Sequence, residues 1–337
     1  MQGSGAGPFL YVANQEAGFV TVIDLASNQV TEVIDLPALG FGNTPKPHHI
    51  AVEPDGSYWY VSLIAADVVL KFNRDNEIVA RADFLRPGLL AIDPDSDALW
   101  VGRSMAAVNP PQRIGRIERG TMDALEIEEY DVFIPRPHAL AISPGGGWVF
   151  AGSLAENTVV PVEVGSGRAS LSRLEGDMAH VLVQFAISPD GNTMVATGEM
   201  SAALLVFDIS NPDSPELTHR IDVGNRPWHP SWSADGRWVW FGNLGDSTVS
   251  LVDTNDWTVA DVISGTGLAQ PHGSALSADG KFLYVANRNE TGDYGDTPEG
   301  ETPPGTVVVI DTGTREIVDV IETPPYAAGL GLASGGN

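Results

Sequence analysis

Short runs in which large apolar and β-branched side chains alternate with smaller or polar ones recur along the whole chain, closed by Gly, Asn, Asp or Pro. Phe9-Leu10-Tyr11-Val12-Ala13-Asn14 and Val20-Thr21-Val22-Ile23-Asp24-Leu25 come first. Val30-Thr31-Glu32-Val33-Ile34-Asp35 follows across a turn at Asn28. A two-residue period of this kind predicts half-buried strands, and no window keeps the 3.6-residue period and caps of a long amphipathic helix.

The runs repeat as a unit. Pro47-His48-His49-Ile50-Ala51-Val52, a turn at Glu53-Pro54-Asp55-Gly56 and a strand at Tyr58-Trp59-Tyr60-Val61-Ser62 return from Pro137 and again from Pro271. Each copy predicts two strands joined by a tight Asp-Gly or Gly-Gly turn. Full units start at Pro47, Pro87, Pro137, near Ala179, at Pro227 and at Pro271. Their spacing of 40–50 residues is that of a β-propeller blade. The chain begins inside a unit that lacks its first strand, and Pro325-Tyr326-Ala327-Ala328-Gly329-Leu330-Gly331 supplies it. The expected fold is therefore all-β: a seven-bladed β-propeller with four-stranded blades, its ring closed by pairing of the N- and C-terminal strands. Residues 1–8 read as a flexible lead-in, 9–331 as one propeller domain and 332–337 as a flexible tail.

Composition narrows the partners. With 44 acidic and 18 basic residues the net charge is −26, which argues against nucleic acid and anionic lipid. No apolar run is long enough to insert in a membrane. Cysteine is absent, which excludes disulfides and thiolate metal sites. Residues 1–7 lack the basic start and apolar core of a signal peptide. They read as the trimmed start of an exported chain, so a periplasmic or extracellular location is expected. Two units are extended, at residues 103–113 and in the acidic stretch 288–305, and both loops should rise on the face where the first strands begin.

Tyr11-Val12-Ala13-Asn14, Tyr60-Val61-Ser62, Phe241-Gly242-Asn243 and Tyr284-Val285-Ala286-Asn287 resemble the recurrent strand of the YVTN-type β-propellers. The Ser188-Pro189-Asp190-Gly191, Ser233-Ala234-Asp235-Gly236 and Ser277-Ala278-Asp279-Gly280 turns complete that resemblance. It implies the architecture and leaves function open, because one such scaffold hosts many activities.

Six of the seven histidines fall near the start of a first strand. His48, His138 and His272 occupy one equivalent place, with Gly88 and Tyr326 at the matching place of two other blades. His49 and His229 occupy the next place. His180 stands slightly earlier in its unit, and His219 falls on an outer fourth strand. First strands line a propeller's axis, so the six converge at one mouth of the channel. Neutral imidazoles gathered there suit a transition metal, with copper first and other metals open, whereas calcium and magnesium prefer oxygen. The metal ligands expected are His48, His49, His138, His180, His229 and His272.

The pattern is also similar to the catalytic propeller of nitrous oxide reductases. That resemblance implies a mono- or multinuclear copper centre with His48 and His49 as the pair, a small-molecule substrate and a separate electron donor. Two other classes stay open: a non-catalytic surface propeller recognising a protein or glycan, and a lyase- or lactonase-like enzyme. Arg86, Arg136 and Arg226, each before a first-strand proline, read as blade-tying residues in preference to anion ligands.

Overall fold

The computed structural model describes residues 8–104, 109–122 and 127–332. The expected lead-in apart from Pro8, and the tail beyond Leu332, lie outside the described residues. Twenty-eight strands and no helix occur among them, arranged as seven four-stranded antiparallel sheets.

The first sheet holds β1 (Phe9–Asn14), β2 (Phe19–Asp24) and β3 (Gln29–Asp35). The second is β4 (Pro47–Val52), β5 (Tyr58–Leu63), β6 (Val68–Asn73) and β7 (Ile78–Asp83). The third is β8 (Pro87–Ile92), β9 (Ala98–Arg103), β10 (Arg113–Glu118) and β11 (Glu128–Asp131). The fourth is β12 (Pro137–Ile142), β13 (Trp148–Ser153), β14 (Thr158–Glu163) and β15 (Ser172–Arg173). The fifth is β16 (Leu182–Ile187), β17 (Thr193–Gly198), β18 (Ala203–Asp208) and β19 (Glu216–Asp222). The sixth is β20 (Ser231–Trp232), β21 (Trp238–Asn243), β22 (Thr248–Asp253) and β23 (Thr258–Ile263). The seventh is β24 (Pro271–Leu276), β25 (Phe282–Asn287), β26 (Gly305–Asp311) and β27 (Glu316–Thr323). The last strand, β28 (Ala327–Leu332), pairs with β1 and completes the first sheet, as the split repeat predicts.

The seven first strands β28, β4, β8, β12, β16, β20 and β24 neighbour one another in that order and close into a ring. The protein is a seven-bladed β-propeller. Its core lies between successive sheets, where second and third strands are almost wholly buried. Tyr11 stacks on Trp59 at 4.5 Å between centroids and Trp59 on Phe72 at 4.0 Å, linking the first two sheets. Each such side chain contributes roughly 1.5–3 kcal/mol by leaving water. The Ser-x-Asp-Gly turns form as expected: Ser188 Oγ donates to Asp190 at 2.5 Å, and Gly191 takes a φ of 77° that a side chain resists.

The asparagine ending the recurrent strand is a tie in three of its copies, with Asn287 accepting the Ala269 N–H at 3.2 Å. Asn14 is fully buried and its Nδ2 donates to Thr323 Oγ1 and Pro324 O across the ring closure. Asn243 donates to Thr248 and Ser250 within its own sheet.

A second repeated device shapes the mouth of the channel. The residue just before each first strand, or before Pro227 in the sixth blade, is left-handed: Lys46, Arg86, Arg136, Val181, Arg226, Gln270 and Tyr326 have φ of 50–65°. Its carbonyl accepts the N–H of the residue that follows the second strand, from Gln15, Ile64, Ser104, Leu154, Glu199, Leu244 and Arg288, at 2.9–3.2 Å. Immediately afterwards the pairing of first and second strands slips, as between Pro47 and Ile50 or Pro271 and Ser274. A bulge of this kind turns side chains out of the regular alternation. The residues two and three places after the left-handed one are thereby delivered to the axis.

These positions correct the phase of two blades. In the fifth unit the left-handed residue is Val181 and the first strand begins at Leu182, three residues later than the start expected near Ala179. Tyr326 of the last half-unit is itself the left-handed residue, so Ala328, not Tyr326, matches His48.

First strands approach closely at the mouth. A Cβ on Gly273 would stand 2.5 Å from Ala328 O, and one on Gly329 would collide with His48 O. Gly273→Ala should therefore destabilise the propeller by about 1–3 kcal/mol in urea denaturation. Gly165→Ala, on an exposed turn where nothing lies within 4 Å, should stay within about 0.5 kcal/mol.

Candidate functional site

Two places after the left-handed residue the seven blades carry His48, Gly88, His138, Val183, Trp228, His272 and Ala328. Three places after it they carry His49, Leu89, Ala139, Gln184, His229, Gly273 and Gly329. The small Gly88 lies in the blade between His48 and His138, and Ala328 in the blade between His272 and His48. Rings from non-adjacent blades consequently meet: His48 lies 5.7 Å from His138 and 6.0 Å from His272, centroid to centroid. His229 lies 4.7 Å from His272, and His49 lies 6.0 Å from His229. Five of the six expected ligands are thus one contiguous group at the channel mouth.

His180 does not join it. One place before the left-handed Val181, its Nδ1 bonds Ser201 Oγ at 2.9 Å, its backbone N–H donates to Asn157, and the ring contacts linking the other five do not reach it. The cause is the shifted phase of the fifth blade, which places Val183 and Gln184 at the positions held by His48, His138 and His272 and by His49 and His229 in other blades. His219 is exposed on β19, against Thr218 and Trp257.

Hydrogen bonds set the tautomers. His48 Nδ1 bonds Gln15 Oε1 at 2.9 Å and His138 Nδ1 bonds Val183 O at 2.7 Å. Both partners are acceptors, so both Nδ1 atoms carry the proton and both Nε2 atoms present a bare lone pair. Those Nε2 atoms are buried and unpartnered, as are His229 Nε2 and both ring nitrogens of His272. His49 is the opposite case. Its Nδ1 accepts the Leu90 backbone N–H at 3.2 Å, so the neutral ring keeps its proton on Nε2 and is a donor there.

Burial dominates the charge state. It holds His48, His229 and His272 well below the ordinary imidazole pKa, reinforced by neighbouring histidines and by Arg288. His49 is lowered to about 4 by burial and His138 beside it, and His138 to about 4 by burial with Arg136 adding. All five rings are neutral at pH 7.

Arg288, the residue after β25, is the charge of the site. Its guanidinium lies 4.7 Å over the Trp228 ring and 4.9 Å from the Tyr326 ring. Trp228 in turn touches His272 at 4.2 Å and His229 at 5.6 Å. Glu290 is 3.8 Å from Arg288 Nη1, while Glu199 is taken by Arg226 at 2.7 Å. Arg86 faces Asp67 at 3.7 Å and bonds Ile64 O, so Arg86 and Arg226 do serve as local ties. The extended loop beginning at Arg288 is anchored at the mouth, where Glu290 N–H donates to Gln270 Oε1 at 2.6 Å.

Gln15, Glu199 and Arg288 were not among the expected site residues. All three stand at one repeated place, the residue whose N–H reaches the left-handed carbonyl. A charged or amide side chain there, against Ile64 or Leu154 elsewhere, is a readable signal once the repeat is phased by that hydrogen bond.

Two imidazoles on one metal ion at about 2 Å bring their centroids to about 5 Å, the scale of the spacings observed. Among the described residues, however, no three His, Asp or Glu side chains already converge as a ligand set. The rings are gathered and not yet aimed at one point.

Residues 198–223 match the LVIVD repeat family, a minor part of the chain. No curated protein sequence matches it. A protein of unknown function from Desulfotomaculum acetoxidans DSM 771 superposes with a TM-score of 0.75 at 16% identity, over 96% of this chain and 98% of that one. Hydrazine synthase of Kuenenia stuttgartiensis superposes with a TM-score of 0.69 at 19% identity, over 93% and 99%. At such identities the likeness is one of fold, that of the β-propeller.

The buried histidines make metal-free stability pH-dependent in a defined window. Unfolded histidines take up protons near pH 6.5, whereas His49 and His138 stay neutral in the fold to about 4. Below pH 6.5 the unfolded state therefore binds more protons and stability falls, while above it these groups contribute no slope. Thermal melts of metal-free protein should show Tm dropping by several degrees between pH 6.5 and pH 5, and His49→Gln with His138→Gln should flatten the drop.

Proposed function

We propose that the histidine group at the channel mouth binds a transition metal, copper first. Its ligands would be Nε2 of His48, His138 and His229 with one nitrogen of His272. The supporting observation is the pair of tied tautomers: Gln15 and Val183 hold the Nδ1 protons of His48 and His138 and leave buried, bare Nε2 lone pairs. Outer-sphere acceptors on one ring nitrogen are the usual accompaniment of metal ligation by the other. Leaving those lone pairs unmet costs about 1–3 kcal/mol each, which a metal ion would recover. Small ring rotations are required first, since no ligand set is yet converged.

The donor set selects the metal. Imidazole nitrogens without thiolate or carboxylate suit late first-row ions, among which copper binds such sites most tightly. His49, a donor at Nε2, is removed from the ligand set and His180 is removed by position. With copper bound, the site would supply one-electron redox chemistry and an open position toward a small substrate. The residues around it hold the ligand rings, exclude water and keep the imidazoles unprotonated. On this reading the chain is an exported metalloprotein taking electrons from a separate donor, on a YVTN-like scaffold, and the removal of His49 and His180 weakens the similarity of its histidine pattern to that of nitrous oxide reductases. The hydrazine synthase likeness adds no assignment of activity.

Elemental analysis of protein loaded with copper and then desalted is the direct test. At least one copper per chain should remain, and Tm should rise on loading by mass action. His138→Ala combined with His272→Ala should remove most of that copper while circular dichroism stays that of a propeller. His180→Ala and His219→Ala should keep it. Full copper retention in the double variant, or none in the native protein, would dismiss the site.

A further inference from the structure

The group contains buried donors as well as bare lone pairs. Arg288 Nε and Trp228 Nε1 are both buried N–H groups without a partner, and one of the two unpartnered nitrogens of His272 must carry a proton. Four of the histidines, Trp228 and Arg288 thus concentrate unmet donors and acceptors in one place. Lone pairs call for a cation, whereas these donors call for an acceptor.

The cation is unusually placed. Arg288 side-chain exposure is 12%, and its guanidinium packs 4.7 Å from the Trp228 ring and 4.9 Å from the Tyr326 ring, which limits its freedom. Its nearest carboxylate, Glu290, sits 3.8 Å from Nη1, outside hydrogen-bond distance, and is itself 47% exposed. Glu199 is paired with Arg226, which reaches its Oε1 through Nε at 2.8 Å and Nη2 at 2.7 Å. A surface cavity of about 240 Å³ leads to Arg288 between Tyr326, Pro303 and Pro325, with Glu290 at its rim. Glu16, also on that rim, is paired with Lys46 at 3.0 Å.

We propose that Arg288, Trp228 and His272 form a receptor for a small planar anion, a carboxylate or an oxyanion, with Glu290 as the internal carboxylate that the ligand displaces. The anion accepts from the Arg288 fork and lies against His272 and His229. This names the ligand class of the same site. It rests on the metal reading only in that a bound metal would meet the anion there, since the receptor needs no metal. Such an anion would also balance the positive charge that a metal adds beside Arg288.

Metal-free protein, stripped with chelator and dialysed, is titrated with sodium acetate and with sodium nitrate against sodium chloride at constant ionic strength. Tryptophan fluorescence and Tm are the readouts. One of the two anions should give a saturable response. Its apparent affinity should fall at least tenfold in Arg288→Met, hold in Arg86→Met and rise at least threefold in Glu290→Gln. No saturable response to either anion, or equal responses in the two arginine variants, overturns the receptor. If Arg288→Met does not fold, Glu290→Gln decides, and an unchanged affinity there overturns it. Anion binding that appears only after copper loading and is indifferent to Arg288→Met assigns the anion to the metal and also overturns the receptor. Failure to retain copper with an intact Arg288-dependent response dismisses the metal and leaves the receptor standing.

Discussion

Seven hydrogen bonds from the residue after each second strand to the carbonyl of a left-handed residue organise the channel mouth. A non-glycine residue in that conformation costs of the order of 1–3 kcal/mol, more readily borne where surrounding structure fixes it. Here it is fixed in every blade, by Lys46, three arginines, Val181, Gln270 and Tyr326 alike. The constraint turns the chain inward, breaks the strand register and hands the next residues to the axis. The meeting of the histidines depends on that turn being the same in blades whose sequences differ.

The resulting electrostatics oppose those of the exterior. The chain as a whole carries a net charge of −26, while the mouth gathers neutral imidazoles and Arg288. Desolvation keeps the rings uncharged more strongly than their mutual repulsion does, so loss of water outweighs crowding. Were the proposed metal and the proposed anion both bound beside these neutral imidazoles and the Arg288 cation, each would ease the electrostatic cost of the other. The acidic loop after Arg288 brings Glu290 to the rim and keeps an opposite charge within reach of that cation.

Most of the architecture is readable in the chain because its signals are local. The Asp-Gly turns, the alternation in Tyr284-Val285-Ala286-Asn287 and the spacing of the prolines each report one blade, and enough blades carry them to fix the count at seven. Convergence of His48, His49, His138, His229 and His272 follows from their shared place in the repeat. His180 departs from expectation because Leu182 stands where most blades have proline, which hides the true phase of the fifth unit. A similar slip sets Tyr326 in place of Ala328. Which nitrogen His49 presents depends on Leu90 of the next blade, and the neighbours of Arg288 come from other blade starts. Contacts across the ring leave no mark in a single repeat.

Closure by β28 carries a temporal consequence. Asn14 is bonded to Thr323, 309 residues away, and Gly329 lies against the carbonyl of His48. The second blade can pair its own strands as soon as it is synthesised, but the wall behind His48 arrives only with the last strand. Ligand capture at the proposed site would therefore wait for β28: before it pairs, the histidines would stand on an open arc, accessible to solvent and to the wrong ions. Loop-closure entropy of so long a segment is paid at that final step. The channel mouth is complete only once β28 has paired with β1.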